Sequence, residues 1–169
     1  MFTPKRISRD GIERALEKAQ RYRLLNEPSD AESICLDILE IEPEHQRALV
    51  ALLLARTDQF QWSGGSGGGS EAAAREVLAR LTSEYQRAYY AGIICERWAR
   101  ARLTRGGPGA GAMVFHWLRE AMEWYDKAEA LRPAGNDDAL LRWNACARLL
   151  ARHPDLKPEP EDRVPAMLE

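Results

Sequence analysis

The chain has 169 residues, 45% apolar and 30% charged, with 24 Lys and Arg against 26 Asp and Glu for a formal charge of -2. That length supports one compact domain with its own core, and the near-neutral balance gives no global reason to expect a nucleic acid or an anionic membrane as partner. Cys35, Cys95 and Cys146 lie far apart, form no C-x-x-C pair and leave one over in any disulfide scheme, which suits a reducing, cytoplasmic setting. The first residues hold no apolar run of signal-peptide type, and the longest apolar run, 48–55, has eight residues where a membrane span needs about 20. A cytoplasmic protein with no membrane partner is expected.

Apolar residues recur at three and four throughout and no stretch alternates as a strand does, so the class is all-α. Residues 1–9 form an N-terminal arm. A first helix opens at Asp10, with Glu13 completing a capping box, carries Ile12, Ala15, Leu16, Ala19 and Tyr22 on one side, and stops near Asn26. A second repeats the signature with Ser29 and Glu32 and ends before Pro43; a third covers 44–58. Residues 63–70 read Ser-Gly-Gly-Ser-Gly-Gly-Gly-Ser, a flexible-coil composition that reads as an engineered linker replacing a loop. A fourth helix spans 71–81 and a fifth 83–103, with the turn at Thr82 and Ser83. The Gly-rich stretch 104–112 is loop, 113–131 a sixth helix ending before Pro133, and a seventh runs from a cap at Asn136 to Arg152. Domain 10–152 is thus followed by a Pro-rich acidic tail, 153–169, extended or disordered and ending in what reads as a cloning scar.

Two segments share a spacing: Ala31, Cys35 and Pro43 match Ala121, Tyr125 and Pro133. A small residue, a larger one four on, and a Pro eight beyond resembles the second helix of a tetratricopeptide (TPR) repeat, whose period is about 34 residues. Ala19 and Tyr22 occupy the small and aromatic positions of the first helix, so 10–43 fits one repeat; Ala91-Gly92 resembles the family's close-packing pair in the third. Ala121 then comes about 17 residues later than the family's spacing from Gly92 implies, an insertion absorbed by the Gly-rich loop and longer helix ends. The second repeat is degenerate. The resemblance covers roughly 10–135 and implies a right-handed superhelix of three helical hairpins with the seventh helix as a solvating cap.

Catalytic and ligand chemistry finds no constellation. His45, His116 and His153 are dispersed, and only His116 has a neighbour at helical spacing, Glu120, so no metal site is expected. The glycines of 106–111 lack the Lys-Ser/Thr of a phosphate loop, having Ala112-Met113 instead. Each Cys sits mid-helix among apolar residues, the setting of a small buried hydrophobe. The stripe Trp117, Ala121, Trp124, Tyr125, Ala128 reads as core. Over 71–105 seven Arg face four Glu, with four Arg closing the fifth helix, where they complement its macrodipole. No cofactor, no metal and no enzymatic activity are expected.

The TPR resemblance implies instead a concave groove lined by the first helix of each pair: Leu16, Gln20 and Arg23; Arg47, Val50 and Leu54; Gln86, Tyr89, Ile93 and Arg97. The carboxylate clamp by which some TPR domains hold chaperone tails needs Lys and Asn where Leu16, Gln20 and Ala51 stand, which disfavours that ligand. The expected function is a scaffold or adaptor for a partner peptide or helix, with Leu54, Tyr89 and Ile93 as apolar anchors. A self-associating scaffold is the second reading, and a nucleic-acid-binding repeat using the 71–105 arginines the third, disfavoured one.

Overall fold

The computed structural model describes residues 1–62 and 70–160. Among them the order is a 3-10 turn, Arg9–Gly11, then α1 Ile12–Leu24, α2 Pro28–Ile41, α3 Gln46–Asp58, α4 Glu71–Leu78, α5 Glu84–Arg105, α6 Ala110–Leu131 and α7 Asp138–Arg152. The described residues are all-α. Of the expected linker only Ser70 is described, and 161–169 of the tail likewise lie outside the described residues.

The helix starts follow the capping chemistry of individual residues. Ser70 and Ser83 cap α4 and α5, their hydroxyls accepting from Ala73 and Gln86 N–H at 3.1 and 3.2 Å. His45 caps α3 through Nδ1, which accepts from Ala48 N–H at 3.1 Å. Two expected caps are corrected. Ser8, not Asp10, receives the N–H of Gly11, at 3.1 Å, and so starts the 3-10 turn ahead of α1. Pro28 rather than Ser29 opens α2, because a proline ring pre-sets the helical φ and has no N–H to leave unsatisfied. Glu32 is thereby freed to bond across to Arg56 at 3.0 Å and Gln59 at 2.6 Å.

Two borders differ from expectation for tertiary reasons. α4 stops at Leu78, three residues early, because Gln46 of α3 takes over the next turn: its Oε1 accepts from Thr82 N–H at 2.9 Å. The Gly-rich loop shrinks to 106–109, since Gly106, Gly107 and Gly109 at φ of 66°, 96° and 71° reverse the chain in four residues. Residues 104–105 and 110–112 of the expected loop therefore belong to α5 and α6. The tail is also not free from 153 onward: Leu156 is buried and packs with the core of α5 to α7.

α1 packs on α2 and α3, α2 on α3, α3 on α4 and α5, α5 along its length on α6, and α6 on α7. Two apolar clusters result. Leu16, Ile38, Leu49, Leu52, Leu53, Phe60 and Val77 centre the first; Ile93, Val114, Leu118, Ala121, Tyr125 and Cys146 centre the second. α5 supplies both, with Ile94 and Ala101 in the first and Ile93 and Ala99 in the second. No helix among the described residues is long and apolar enough to cross a membrane.

Candidate interaction face

α3 is apolar around nearly its whole circumference: Ala48, Leu49, Ala51, Leu52, Leu53 and Ala55 are buried. Its least covered stripe is the exposed Arg47 with the half-buried Val50, Leu54 and Asp58, at spacings of three and four. Each end of the stripe is tied to α1. Arg47 pairs with Glu13 at 2.9 Å, and Arg23 donates through Nε to Asp58 at 2.7 Å. From the other side Arg97 of α5 donates to the same Asp58 carboxylate and to Thr57 Oγ1, the latter at 2.7 Å. α1, α3 and α5 are thus clamped side by side at one carboxylate.

A second carboxylate does the same one step along. Glu96 of α5 has no exposed surface, yet its oxygens receive Tyr125 Oη of α6 at 2.7 Å, Arg100 Nε at 2.9 Å and Arg142 of α7 at 3.4 Å. Burial and the adjacent Glu96 push the Tyr125 phenol well above its ordinary pKa, so it stays a donor. Burial works against the charge of Arg142, but Glu96 and the Tyr125 and Tyr89 phenols outweigh it and hold its pKa up. For Arg97 burial wins over Asp58, and with Arg23 and Arg142 nearby its pKa is lowered.

Between the C-terminal ends of α1 and α3 and the middle of α5 lies a pocket of about 360 Å³, bounded by Arg23, Leu24, Asp58, Trp62, Arg97 and Arg100 among others. Leu24 and Trp62 at its rim are exposed by 88% and 59%.

The ten residues expected on the face divide. Arg23 and Arg97 meet at Asp58; Arg47 and Gln20 are exposed; Val50, Leu54 and Gln86 are half-buried. Leu16 and Ile93 are corrected: both are fully buried, one in each cluster, and lie beneath the face rather than on it. Tyr89 leans toward α6, 6.0 Å from the Tyr125 ring and stacked on Tyr85, whereas Tyr90 touches both clusters. Sequence reasoning left Glu96, Arg100, Arg142 and Tyr90 outside the site; the spacing of Glu96 and Arg100 at i, i+4 is the one signal that could have pointed to the second carboxylate.

The seven arginines of 71–105 all serve this fold. Arg75 pairs with Glu71 and Glu120, Arg97 with Asp58 and Arg100 with Glu96. Arg80, Arg87, Arg102 and Arg105 donate to the carbonyls of Pro43, Leu81, Pro108 and Phe60.

Cys35, Cys95 and Cys146 are free and buried, and burial pushes each thiol up from 9.0 to about 12. A raised folded-state pKa means that the native chain keeps protons that the unfolded chain sheds. The stabilisation is complete below pH 9 and is lost progressively as pH rises toward 12. The expected result is a melting temperature that falls steadily above pH 9, with no thiol labelled by a disulfide reagent at pH 8 unless denaturant is added. Fast labelling of the native protein at pH 8 would contradict it.

No family model matches the chain, nor does any curated protein or solved structure.

Proposed function

We propose that this chain is a TPR-like helical-repeat adaptor, a right-handed superhelix of three hairpins with α7 as cap. It has no chemistry of its own and holds a partner's helix or extended segment on the face of α1, α3 and α5. The observation that carries this reading is the sequence separation of the polar contacts in the N-terminal half that tie the start of the chain and α1 to the end of α2 and to α3, and α3 to the turn after α4; the α3 to α5 contacts of Arg97, at 39 and 40, lie a few residues off it. Arg9 to Glu42, Glu13 to Arg47, Arg23 to Asp58, Gln46 to Arg80 and Gln46 to Thr82 are 33, 34, 35, 34 and 36 residues apart. Residues about one 34-residue repeat apart therefore touch, as stacked repeats require. Toward the C-terminus Tyr85 and Asn136 meet at 51, about one repeat lengthened by the insertion of roughly 17 residues. The three buried free thiols support a reducing, cytoplasmic setting. The internal partners of Arg75, Arg80, Arg87, Arg102 and Arg105 leave no continuous track of free cations among the described residues and argue against nucleic acid.

Leu54 packs against both clusters, so substitution there acts on folding, and the test uses residues that carry less. A photo-crosslinking residue placed at Arg47 or Val50 is expected to trap a partner in cells, whereas the same residue at the exposed Leu36 of α2 or Leu141 of α7 traps none. Adducts formed only from Leu36 or Leu141, or bands at the mass of a dimer from all four positions, would overturn the inner-face reading.

A further inference from the structure

We propose that the pocket between α1, α3 and α5 is a carboxylate site that takes an Asp or Glu side chain of the partner segment, with an apolar neighbour seated on Leu24 and Trp62. This rests on the adaptor reading and names what its face would recognise. The argument begins with charge. Arg23, Arg97, Arg100 and Arg142 surround two acids, Asp58 and Glu96, so each carboxylate is shared by two guanidiniums and the six groups carry an excess of two positive charges. The pKa of Arg97 is lowered first by burial, and Arg23 and Arg142, both within electrostatic reach, lower it further against the pull of Asp58, so the like charges stand close together. An incoming anion relieves that crowding.

Donor geometry then says where. Arg100 commits only Nε, to Glu96, and its side chain is 39% exposed at the pocket wall. Its two terminal nitrogens have no protein acceptor among the described residues, and a guanidinium presents that pair as a fork matching the two oxygens of a carboxylate. Arg23 and Arg97 each hold Asp58 while keeping further N–H groups, which places three cations around one opening. Glu96 fixes Arg100 from within the core, so the fork is pre-oriented before any ligand arrives.

The rim chooses among anions. Leu24 and Trp62 expose apolar surface directly beside the guanidiniums, which a free inorganic anion leaves uncovered and an acidic residue followed by Leu, Ile, Phe or Trp covers. A nucleic-acid phosphate would require free cations along a track, and Arg75, Arg80 and Arg87 are occupied internally.

The test is a fluorescence-anisotropy titration of the full chain with two pools of labelled octapeptides, blocked at both ends. One pool holds Asp or Glu before an apolar residue at its centre, and the other holds Asn or Gln in the same place. The acidic pool is expected to bind at least about tenfold more tightly. Arg100→Gln is expected to remove most of that preference, while Glu96 keeps Arg142 and Tyr125 and the fold survives, checked by an unchanged helical circular dichroism signal. Arg47→Gln, outside the pocket, is expected to leave it intact. Equal binding of the two pools, or an acidic preference that survives both Arg100→Gln and Arg23→Gln, overturns the carboxylate site. Partner capture at Arg47 or Val50 together with such equality would leave the adaptor standing without it. Competition by single-stranded RNA that abolishes acidic-pool binding through the same arginines would also overturn the proposal, in favour of a phosphate ligand.

Discussion

Glu96→Ala lowers the melting temperature of this protein by roughly 5–15 °C. The carboxylate is the shared acceptor of three helices: Tyr125 from α6, Arg100 on α5 itself and Arg142 from α7. Removing it strands the Tyr125 hydroxyl in a site with no exposed surface, where an unmade bond costs about 1–3 kcal/mol. It also leaves a hollow where a side chain of Glu size stood. Breaking a fully buried ion pair costs about 3–5 kcal/mol, but the side chains of Arg100 and Arg142 are 39% and 36% exposed and regain water. Their share is discounted, and about 2–4 kcal/mol remains for the site. At this chain length each kcal/mol moves the midpoint by about 2–4 °C. Glu96→Gln keeps the shape and an acceptor for Tyr125, so it costs about 1 kcal/mol, the worth of a charge-assisted bond made neutral. Thermal melts of the two variants check the ordering. An Ala variant within about 1 °C of the parent would mean that Tyr125 and the arginines find other partners and that the carboxylate holds nothing in place.

Much of the chain's course was legible from punctuation residues. Pro43, Pro133, Ser83 and the glycines of 106–109 mark helix ends whose physical causes are local, and α2, α3, α5 and α6 end or begin close to them. The caps failed where two local signals competed. Ser29 and Glu32 have the right spacing for a capping box, yet Pro28 satisfies the same helix start without a hydrogen bond, and Glu32 has a stronger use against Arg56. The face was only partly legible because a helix packed between several neighbours, as α3 is between α1, α2, α4 and α5, carries adjoining apolar stripes that periodicity alone does not tell apart. Periodicity places Leu16 and Val50 on similar stripes, but Leu16 ends under α2 and α3 while Val50 is half-exposed. Glu96 was illegible for a different reason. A Glu with an Arg four residues on reads as a solvated pair on a helix surface, and nothing nearby announces that Arg142 and Tyr125 arrive from 46 and 29 residues away to enclose it.

Gly92→Ala, ordinarily a stabilising change within a helix by about 1 kcal/mol, is expected here to destabilise by about 2 kcal/mol and lower the midpoint by about 4–8 °C. A Cβ at Gly92 would stand 2.4, 2.7 and 2.9 Å from Cε1, Cδ1 and Cζ of Tyr125, inside any real contact. The ring lies close against α5 at Gly92, and it cannot retreat because its hydroxyl is held at 2.7 Å by Glu96, one turn along the same helix. Gly92 and Glu96 together make a notch, a bare floor and a hook, into which α6 inserts its largest buried side chain. That coupling is measurable. In a Tyr125→Phe background the ring loses its anchor and is able to slide off the new methyl group, so Gly92→Ala should cost less there, by about 0.5–1.5 kcal/mol. The four chemical denaturation curves of the cycle decide it. Strict additivity would show that the ring is fixed by its packing alone, and a neutral or stabilising Gly92→Ala would show that α5 and α6 move apart at little cost, so that the close approach at Gly92 does not set their register.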